Sequence, residues 1–375
     1  MKESIELSKK LGGKIEIRSK QKLTRKNLPV LYTPGVAEVS KAIAKNKNLS
    51  FKYTIRKNAV AVVSDGSAVL GLGNIGPEAA LPVMEGKALL FKELGGVDAV
   101  PIVLATQDVE EIIKTVKFLA PTFGGINLED ISAPRCFEIE ERLKKELDIP
   151  VFHDDQHGTA IIVLAGLINA LKVVKKSHKK IKVVISGAGA AGIAITKLIV
   201  KYGVRNVVLV DSTGIIHKER KNGMNLAKKE ITHLTNPEGI KGMLKDALHG
   251  ADVFIGVSVP DLLSKFDILT MNREPIVFAM GNPVPEIMPG EAIKGGARIV
   301  ATGRSDYPNQ LNNVLVFPGV FRGFLDNNVR QITDRQKIQA AKAIAGLIKK
   351  PSSDRIVPEA LDPRVAKAVS RVFKK

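Results

Sequence analysis

The chain has 375 residues, of which 45% are hydrophobic, 25% charged and 5% aromatic, and it contains no Trp. This length is too great for one small core and predicts two domains, while the composition excludes fibrous and disordered proteins. The formal net charge is +19. Because the basic residues alternate with apolar segments and do not form one tail, we expect a lysine-rich solvated surface and no nucleic-acid partner.

The amino terminus and the hydropathy of the chain predict a cytoplasmic protein. The opening MKESIELSKK has no basic region followed by an apolar one. No apolar run reaches the roughly 18 residues of a spanning helix, so we expect no membrane association. Cys136 is the single cysteine, which excludes an intrachain disulfide and a thiolate zinc site. We expect it to be a small buried residue at a helix start; the alternative is a catalytic thiol.

Strand and helix patterns alternate through the first half of the chain. NAVAVVSDG predicts a strand over residues 58–64 that runs into a Gly-rich turn. The segment PEAALPVMEGKALLFKELGG opens with Pro, closes with Gly and has helical apolar spacing, so it predicts a helix that contains Lys87. The strands AVPIVLA, INL and IPVF then alternate with two helices, which indicates an α/β unit with parallel strands.

The second half predicts another α/β unit. The segment HGTAIIVLAGLINALKVV is a long apolar helix that would join the two domains, and KIKVVIS, a Gly-rich loop and a helix follow it. Thr333 and Gln336 form a capping-box pattern before a further helix. We therefore predict a two-domain α/β protein. Residues 1–158 would hold substrate and metal, and residues 159–375 would form a Rossmann-type doubly wound domain whose last helices, about 333–375, can pack back on the first.

The loop GAGAAG predicts a dinucleotide site, because its glycines allow a tight turn and a close approach of the backbone to phosphates. The residues of this loop are Gly187, Ala188, Gly189, Ala190, Ala191 and Gly192. Asp211 ends the next predicted strand, where an acid would accept a hydrogen bond from a ribose hydroxyl and favour NAD. The nearby His217, Lys218 and Arg220 keep NADP open as the alternative cofactor.

Two pairs of adjacent acids follow predicted strands. Glu129 and Asp130 end GGINLED, and Asp154 and Asp155 end IPVFHDD. Carboxylate oxygens in this number suit Mg²⁺ or Mn²⁺ and leave coordination positions for substrate and water. The alternative is that the acids are helix N-caps or solvated loop residues. His153 and His157 flank the second pair, and we expect them to orient or pack and not to bind metal.

Several longer segments resemble the malic enzyme family, and most closely its short prokaryotic form without a phosphotransacetylase-like extension. They are LYTPGVA, SDGSAVLGLGNIG, PVMEGKALLFK, GGINLEDI, FHDDQHGTA, AMGNPVPE and NNVLVFPG. The resemblance implies a divalent-metal-dependent oxidative decarboxylation of L-malate to pyruvate and CO2 with reduction of NAD or NADP. It also implies a homodimer with the Tyr32 region near the interface.

The resemblance also implies roles for individual residues. Glu129, Asp130 and Asp155 match the metal ligands, with Asp154 in a supporting role. Lys87 matches the base and Tyr32 the acid that protonates C3 of the enolate. A lysine base requires a pKa well below the usual value of about 10.4, and we expect burial and a nearby cation to lower it.

The substrate-binding residues implied by the family are Asn282 and Asn313. Larger eukaryotic members carry an arginine for a substrate carboxylate where this chain has Ala68. Ser67, the two asparagines or a residue of a second subunit would then hold the distal carboxylate of malate.

Three alternative functions are weighed against this one. An amino-acid dehydrogenase shares a nicotinamide domain and a catalytic lysine but would not need the acid cluster. The net charge alone raises a nucleic-acid-binding protein on a Rossmann scaffold. An inactive structural homologue is disfavoured by the complete set of acids and glycines.

Overall fold

The computed structural model describes residues 2–374, and two parallel sheets organise it. The first sheet has the strand order β2-β1-β3-β4, with every pair parallel. Its strands are β1 (Ala59–Ser64), β2 (Asp98–Val103), β3 (Gly125–Leu128) and β4 (Val151–His153). These are the four strands predicted for the first α/β unit, and the parallel pairing is confirmed.

Seven helices accompany the first sheet: α1 (Lys2–Leu11), α2 (Leu28–Leu31), α3 (Val36–Lys45), α4 (Ser50–Tyr53), α5 (Pro77–Gly95), α6 (Val109–Leu119) and α7 (Arg135–Glu146). Short 3-10 turns cover residues 47–49, 55–57 and 120–122. Helix α5 contains Lys87, as predicted. It begins with Pro77 at its first turn, and Gly96 ends it with φ 61°, which only glycine adopts without cost.

The second sheet has the order β10-β9-β8-β5-β6-β7, in which only β7 is antiparallel. Its strands are β5 (Lys182–Ser186), β6 (Asn206–Asp211), β7 (Gly214–Ile215), β8 (Val253–Gly256), β9 (Ile276–Ala279) and β10 (Ile299–Thr302). The helices between them are α9 (Ala190–Tyr202), α10 (Leu226–Ile231), α11 (Leu244–Leu248), α12 (Lys265–Leu269) and α13 (Pro289–Lys294). Because β5 lies between β6 and β8, the loop after it sits where the strand order reverses, the usual place for a nucleotide.

Helix α8 (Asp154–Val173) joins the two sheets. Among residues 2–374 it is the one helix whose length and composition would suffice to cross a membrane, but 72% of its apolar window is buried inside the protein. Burial of this kind is typical of a core helix. Asn169 ties it to the last part of the chain by donating to the Ala345 and Ile356 carbonyls at 2.9 Å. The predicted domain boundary at residue 158 falls inside this helix and stays a prediction.

The chain ends in a 3-10 turn over residues 313–315, helices α14 (Phe317–Asn327), α15 (Asp334–Ala345) and α16 (Arg364–Ser370), and a last turn over 371–373. The predicted capping box of Thr333 and Gln336 opens α15. Helix α14 packs on α5 through rings: the Phe91 and Phe317 centroids lie 4.6 Å apart, and those of Phe91 and Phe321 lie 5.2 Å apart. The last part of the chain thereby contacts the helix that carries Lys87.

Residues 3–58 contain no buried residue, which sets them apart from the rest of the described chain. Large apolar side chains are exposed along them, including Ile17 at 98% and Val30 at 68%. Within residues 2–374, no hydrogen bond or ion pair joins residues 15–49 to the body beyond residue 58. We call residues 15–53 the N-terminal arm; it exposes several large apolar side chains and contains no buried residue.

Candidate active site

The two acid pairs meet at one edge of the first sheet. Strands β3 and β4 are neighbours with Leu128 beside His153, so the residues that follow them lie side by side. Glu129, Asp130 and Asp155 each place one carboxylate oxygen within 4.8 Å of the others. The expectation that both pairs follow neighbouring parallel strands is confirmed.

Backbone geometry holds Asp130 against Asp155. Asp130 has a left-handed φ of 55°, and its N–H donates to Asp155 Oδ2 at 2.8 Å. The Ala68 N–H donates to the Asp130 carbonyl at 3.0 Å, which ties the turn after β1 to the acid loop. Asn127, inside β3, donates to Glu129 Oε2 at 2.9 Å and orients that carboxylate. The acids are therefore positioned before any ligand arrives.

The electrostatics of this cluster fit a divalent cation. Burial, and then the charge of Asp155, raises the pKa of Asp130 to about 9. Burial also raises the pKa of Asp155 to about 6, although Lys87 opposes the rise. Asp130 Oδ2 is buried and has no hydrogen-bond partner among the described residues. Hard oxygen donors that repel one another and include an unpaired oxygen suit Mg²⁺ or Mn²⁺.

Lys87 points from α5 into the same cluster. Its amine lies 2.7 Å from Glu129 Oε1 and 2.6 Å from Asp154 Oδ2, over the Phe317 ring at 4.2 Å. Burial lowers the pKa of Lys87, but the charges of Asp154, Glu129 and Asp155 outweigh it and raise that pKa above its usual value. The lowered pKa that a lysine base requires was expected with a cation bound beside the amine, so it stays a prediction.

Asp154 is the direct partner of Lys87. It is fully buried, and burial raises its pKa to about 7 against the opposing charge of Lys87. The Asn313 side chain lies beside it and opposes the rise in its pKa. The supporting role expected of Asp154 stays a prediction, and its contact with the Lys87 amine is consistent with orienting that amine. In the sequence, the pair of adjacent acids in the segment HDD was the signal that could have pointed to this contact.

Within a single chain, packing does not bring the Tyr32 side chain to the acid cluster. It follows α2 in the N-terminal arm, and its side chain is 67% exposed. Among residues 2–374, no hydrogen bond joins the Tyr32 side chain to Lys87 or to the acids. The exposure of Tyr32 shows that it is not a core residue of this chain, and its role as the acid stays a prediction.

The residues expected to bind substrate differ in their exposure and in their hydrogen-bond partners. Asn313 is half-buried beside Asp154, whereas Asn282 is exposed in the loop after β9. The hydroxyl of Ser67 donates to Asp65 Oδ1 at 2.5 Å and accepts from the Ser132 N–H at 2.9 Å. Ser67 is therefore occupied in holding two loops together, and it is a weaker substrate ligand than expected.

Arg135 and Asp65 form a pair that sequence analysis did not identify. Arg135 Nη2 lies 2.9 Å from Asp65 Oδ2, and the Asp65 side chain is fully buried. The pair fastens the turn after β1 to the start of α7, just beyond the acid loop. Neighbouring Cys136 is fully buried, as expected of a packing residue. Burial raises the pKa of its thiol, which argues against a catalytic thiolate.

The Gly-rich loop forms an open cradle after β5. Gly187 has φ 106°, its N–H donates to the Val210 carbonyl at 2.8 Å, and a Cβ there would lie 2.5 Å from the Val257 carbonyl. A Cβ at Gly192 would overlap the Gly187 carbonyl, so the turn excludes larger residues. At Gly189 a Cβ would meet nothing within 4 Å. This open face at the N-terminus of α9 fits a pyrophosphate.

Asp211 ends β6 beside this cradle, as predicted, but its carboxylate is not free. Arg220 Nη2 lies 2.7 Å from Asp211 Oδ1, and the Lys228 amine lies 2.7 Å from Oδ2. The expectation that Asp211 accepts a ribose hydroxyl therefore needs revision, since two cations already occupy it.

Glu286, in the loop after β9, is a further residue that sequence analysis missed. It is fully buried, and among residues 2–374 it forms no ion pair. Its Oε1 accepts from the Ser258 N–H at 2.7 Å and its Oε2 from the Gly281 N–H at 3.0 Å. Glu286 therefore joins the loops that follow β8 and β9, and Asn282 lies in the second of them.

Replacing Glu286 with Ala is expected to destabilise the protein by roughly 2–4 kcal/mol, because each buried donor left unpaired costs about 1–3 kcal/mol. Denaturant unfolding would measure this change. Glu291 on α13, whose side chain is 45% exposed and pairs with Lys294, is the matched control, and Glu291→Ala should leave the unfolding midpoint unchanged. Equal midpoints for both variants would contradict the bridging role of Glu286.

Comparison with known proteins agrees with this architecture. The family model described as malic enzyme, N-terminal domain, matches residues 12–144, and that described as malic enzyme, NAD binding domain, matches residues 156–372. The bifunctional malic/malolactic enzyme of Bacillus subtilis is 57% identical over all of this chain and 92% of its own. The NAD-dependent malic enzyme of Geobacillus stearothermophilus is 58% identical over 96% of this chain and 75% of its own.

A solved structure matches over the whole length as well. The crystal structure of the NAD-dependent malic enzyme from Thermotoga maritima superimposes with a TM-score of 0.96 at 50% identity, covering 99% of this chain and 98% of that one. A nucleotide cradle and an acid cluster with a buried lysine thus occur here on a fold shared over nearly every residue. On these grounds the chain belongs to the malic enzyme family.

Proposed function

We propose that this protein catalyses the oxidative decarboxylation of L-malate to pyruvate and CO2 with reduction of NAD or NADP, in the presence of Mg²⁺ or Mn²⁺. The observation that carries the proposal is the contact of Lys87 with Glu129 and Asp154 beside the three-acid cluster. The family membership supports the same reaction and does not favour an amino-acid dehydrogenase or a nucleic-acid-binding protein.

Each residue then has a role in the proposed reaction. When bound, the cation supplies an electrophile for the substrate oxygens and the nicotinamide supplies a hydride acceptor. Glu129, Asp130 and Asp155 would hold the cation, and Asp154 keeps Lys87 Nζ aimed at the site. A cation bound by the carboxylates would offset the negative charge that keeps Lys87 protonated, and Lys87 Nζ, once neutral, takes the proton of the C2 hydroxyl. Tyr32 then delivers a proton to C3 of the enolate after CO2 has left.

Two asparagines are the proposed substrate ligands from the second domain. Asn313 lies beside Asp154, which places its amide at the edge of the acid cluster. Asn282 lies in the loop that Glu286 fixes, next to Gly71 of the first domain. We assign both asparagines to the carboxylate and hydroxyl oxygens of malate. Ser67 is assigned to holding the turn after β1 against the acid loop.

The decisive experiment follows NAD(P)H absorbance with L-malate and Mn²⁺, using each cofactor in turn and quantifying pyruvate and lactate. We expect reduction of cofactor with one pyruvate formed for each NAD(P)H. Lactate without net NAD(P)H would instead indicate the malolactic reaction, which is part of the name of the Bacillus subtilis relative. No product with either cofactor would refute the proposal, and full activity after treatment with EDTA would refute the metal dependence.

We also propose that the active protein is a cytoplasmic homodimer in which Tyr32 acts in the site of the partner subunit. Residues 3–58 contain no buried residue, and the arm around Tyr32 makes no hydrogen bond or ion pair with the described body of its own chain. Exposed Leu23, Val30 and Leu31 surround Tyr32 in sequence and would be covered by a second copy.

Mixing two inactive variants tests this arrangement. Tyr32→Phe and Lys87→Ala should each lack turnover, and subunit exchange between them should restore about a quarter of wild-type activity, because half of the dimers then contain one intact site. The readout is steady-state pyruvate formation before and after exchange, since Tyr32 acts after hydride transfer, with the oligomeric state measured by sedimentation. A monomer, or exchanged dimers without activity, would show that Tyr32 does not act across the interface.

A further inference from the structure

We propose that Glu140 of α7 is a positioning residue for the metal site, because it caps the first turn of α8 from outside that helix and thereby aims Asp154 and Asp155. The inference deepens the proposed function and rests on it for the use of a divalent cation. It gives a role to a buried acid that belongs to neither of the two acid pairs.

The start of α8 has no side-chain cap of its own. Asp154 is the first residue of the helix, and the side chain of the N-cap residue, His153, makes no capping hydrogen bond. The first backbone N–H groups of a helix have no partner within it, so a buried helix start needs acceptors from elsewhere. In a capping box the residue three positions after the N-cap accepts the N-cap N–H. That residue is Gln156 here, but its Nε2 donates to Glu140.

Glu140 supplies the missing acceptor from the neighbouring helix. Its Oε1 accepts from the His153 N–H at 3.0 Å, which is the bond that a capping box would make. Its Oε2 accepts from Gln156 Nε2 at 3.2 Å and lies 2.9 Å from His157 Nε2. These contacts lie on both sides of the second acid pair in the chain. One carboxylate therefore fixes the rotation of the first turn about the helix axis.

Burial and charge strengthen this contact. The Glu140 side chain is 6% exposed, and the Lys144 amine, one turn along α7, lies 2.6 Å from its Oε1. Hydrogen bonds to an ionised acceptor are shorter and stronger than those to a neutral one. The carboxylate also faces the positive, N-terminal end of the α8 dipole, which favours an anion. Glu140 thus couples α7 to the start of α8.

The residues fixed in this way are those that the proposed reaction uses. Asp155 Oδ2 accepts from the Asp130 N–H at 2.8 Å. Asp154 Oδ2 lies 2.6 Å from the Lys87 amine. Both carboxylates project from the first turn of α8, so a rotation of that turn would displace them together. Loss of Glu140 should therefore weaken the metal site even in a protein that remains folded.

Binding of Mn²⁺ to the free protein tests this role without malate. Electron paramagnetic resonance of the unbound ion gives the dissociation constant. Glu140→Gln, which keeps the side-chain volume but removes the charge and one acceptor, should weaken Mn²⁺ binding by about 10–100-fold, as is usual for residues that orient metal ligands. NADH binding, measured by fluorescence, should change by less than about twofold, because the Gly-rich cradle belongs to the second sheet and distant sites act independently.

A buried polar residue farther along α8 is the matched control. Asn169 donates to the Ala345 and Ile356 carbonyls, so Asn169→Ala should lower the unfolding midpoint and leave the Mn²⁺ affinity unchanged. This control separates positioning from a general loss of stability. Gln156→Met removes one contact of Glu140 and should weaken Mn²⁺ binding by about two- to tenfold, the effect of one hydrogen bond. It decides the question if Glu140→Gln does not fold.

The outcomes distinguish this inference from the proposed function. Unchanged Mn²⁺ affinity in folded Glu140→Gln, or in Gln156→Met if the first variant does not fold, would overturn the inference. Equal weakening in Asn169→Ala would also overturn it, and a wild type that binds no Mn²⁺ would refute it together with the metal site. The expected loss of Mn²⁺ affinity, combined with a wild type that does not turn over malate, would refute the proposed function and leave the role of Glu140 standing.

Discussion

Lys87→Ala is expected to lower kcat for malate oxidation by about 10²–10⁴-fold, the usual contribution of a positioned acid or base. The amine lies 2.7 Å from Glu129 Oε1 and 2.6 Å from Asp154 Oδ2, in a site that admits little water. Its removal deletes the proton acceptor and leaves Asp154 without its cationic partner. Steady-state kinetics with saturating malate and cofactor would measure the loss, and calorimetry would check that the dinucleotide still binds.

The same helix offers a matched control for this variant. Lys92 is 60% exposed on α5 and pairs with Asp98 at the surface, so Lys92→Ala removes a lysine one and a half turns away without touching the acid cluster. Its kcat should equal that of the wild type. A Lys87→Ala enzyme that keeps more than about a tenth of its activity would contradict a general-base role, given the usual size of that contribution.

Asp130→Asn is expected to abolish the response to metal while stabilising the metal-free protein. Burial and the nearby Asp155 and Glu129 raise the pKa of Asp130 to about 9, so its charged form is unfavourable until a cation arrives. At neutral pH the Asp130 carboxyl must take up a proton when the metal-free protein folds. The neutral amide of Asn avoids that cost, so the melting temperature without metal should rise. The wild type should gain about 2.7 kcal/mol at a Mn²⁺ concentration of 100 times its dissociation constant, whereas the variant should gain almost nothing.

Differential scanning fluorimetry with and without Mn²⁺, together with activity, would separate these effects. Asp148→Asn is the control, because Asp148 is 65% exposed and only loosely paired with Arg56 at 3.8 Å. It should retain both turnover and the shift with metal. An Asp130→Asn protein that still melts at a higher temperature with Mn²⁺ would exclude Asp130 as a ligand.

Local patterns were sufficient for most of the fold and for the parts of the site that lie next to one another in sequence. Pro77 and Gly96 delimit the helix of Lys87 as composition and turn chemistry predict. The acid pairs were placed correctly because each directly follows an apolar strand, and parallel strands end at one edge. The Gly187 turn could be predicted in the same way, since a strand precedes it and a helix follows it.

Residues whose role depends on partners far along the chain could not be assigned in this way. The pKa of Lys87 depends on carboxylates 42 and 67 residues away, and their combined charge reverses the lowering that burial alone predicts. Glu286 appeared as one acid in AMGNPVPE, and only the fold shows that it joins two loops. Tyr32 carries a family motif, yet its exposure shows that the chain by itself does not bring it to Lys87.

By itself, the sequence determined the α/β class, the nucleotide loop, the acid cluster and, through its longer motifs, the family. Periodicity, turn residues and short apolar runs extend over a few residues, so they can be recognised without knowledge of tertiary contacts. The tertiary structure alone decided how the charges combine. Asp211 looked like an acceptor for a ribose hydroxyl until Arg220 and Lys228 were seen to occupy it, because a carboxylate's chemistry depends on which charges the fold brings within a few ångströms.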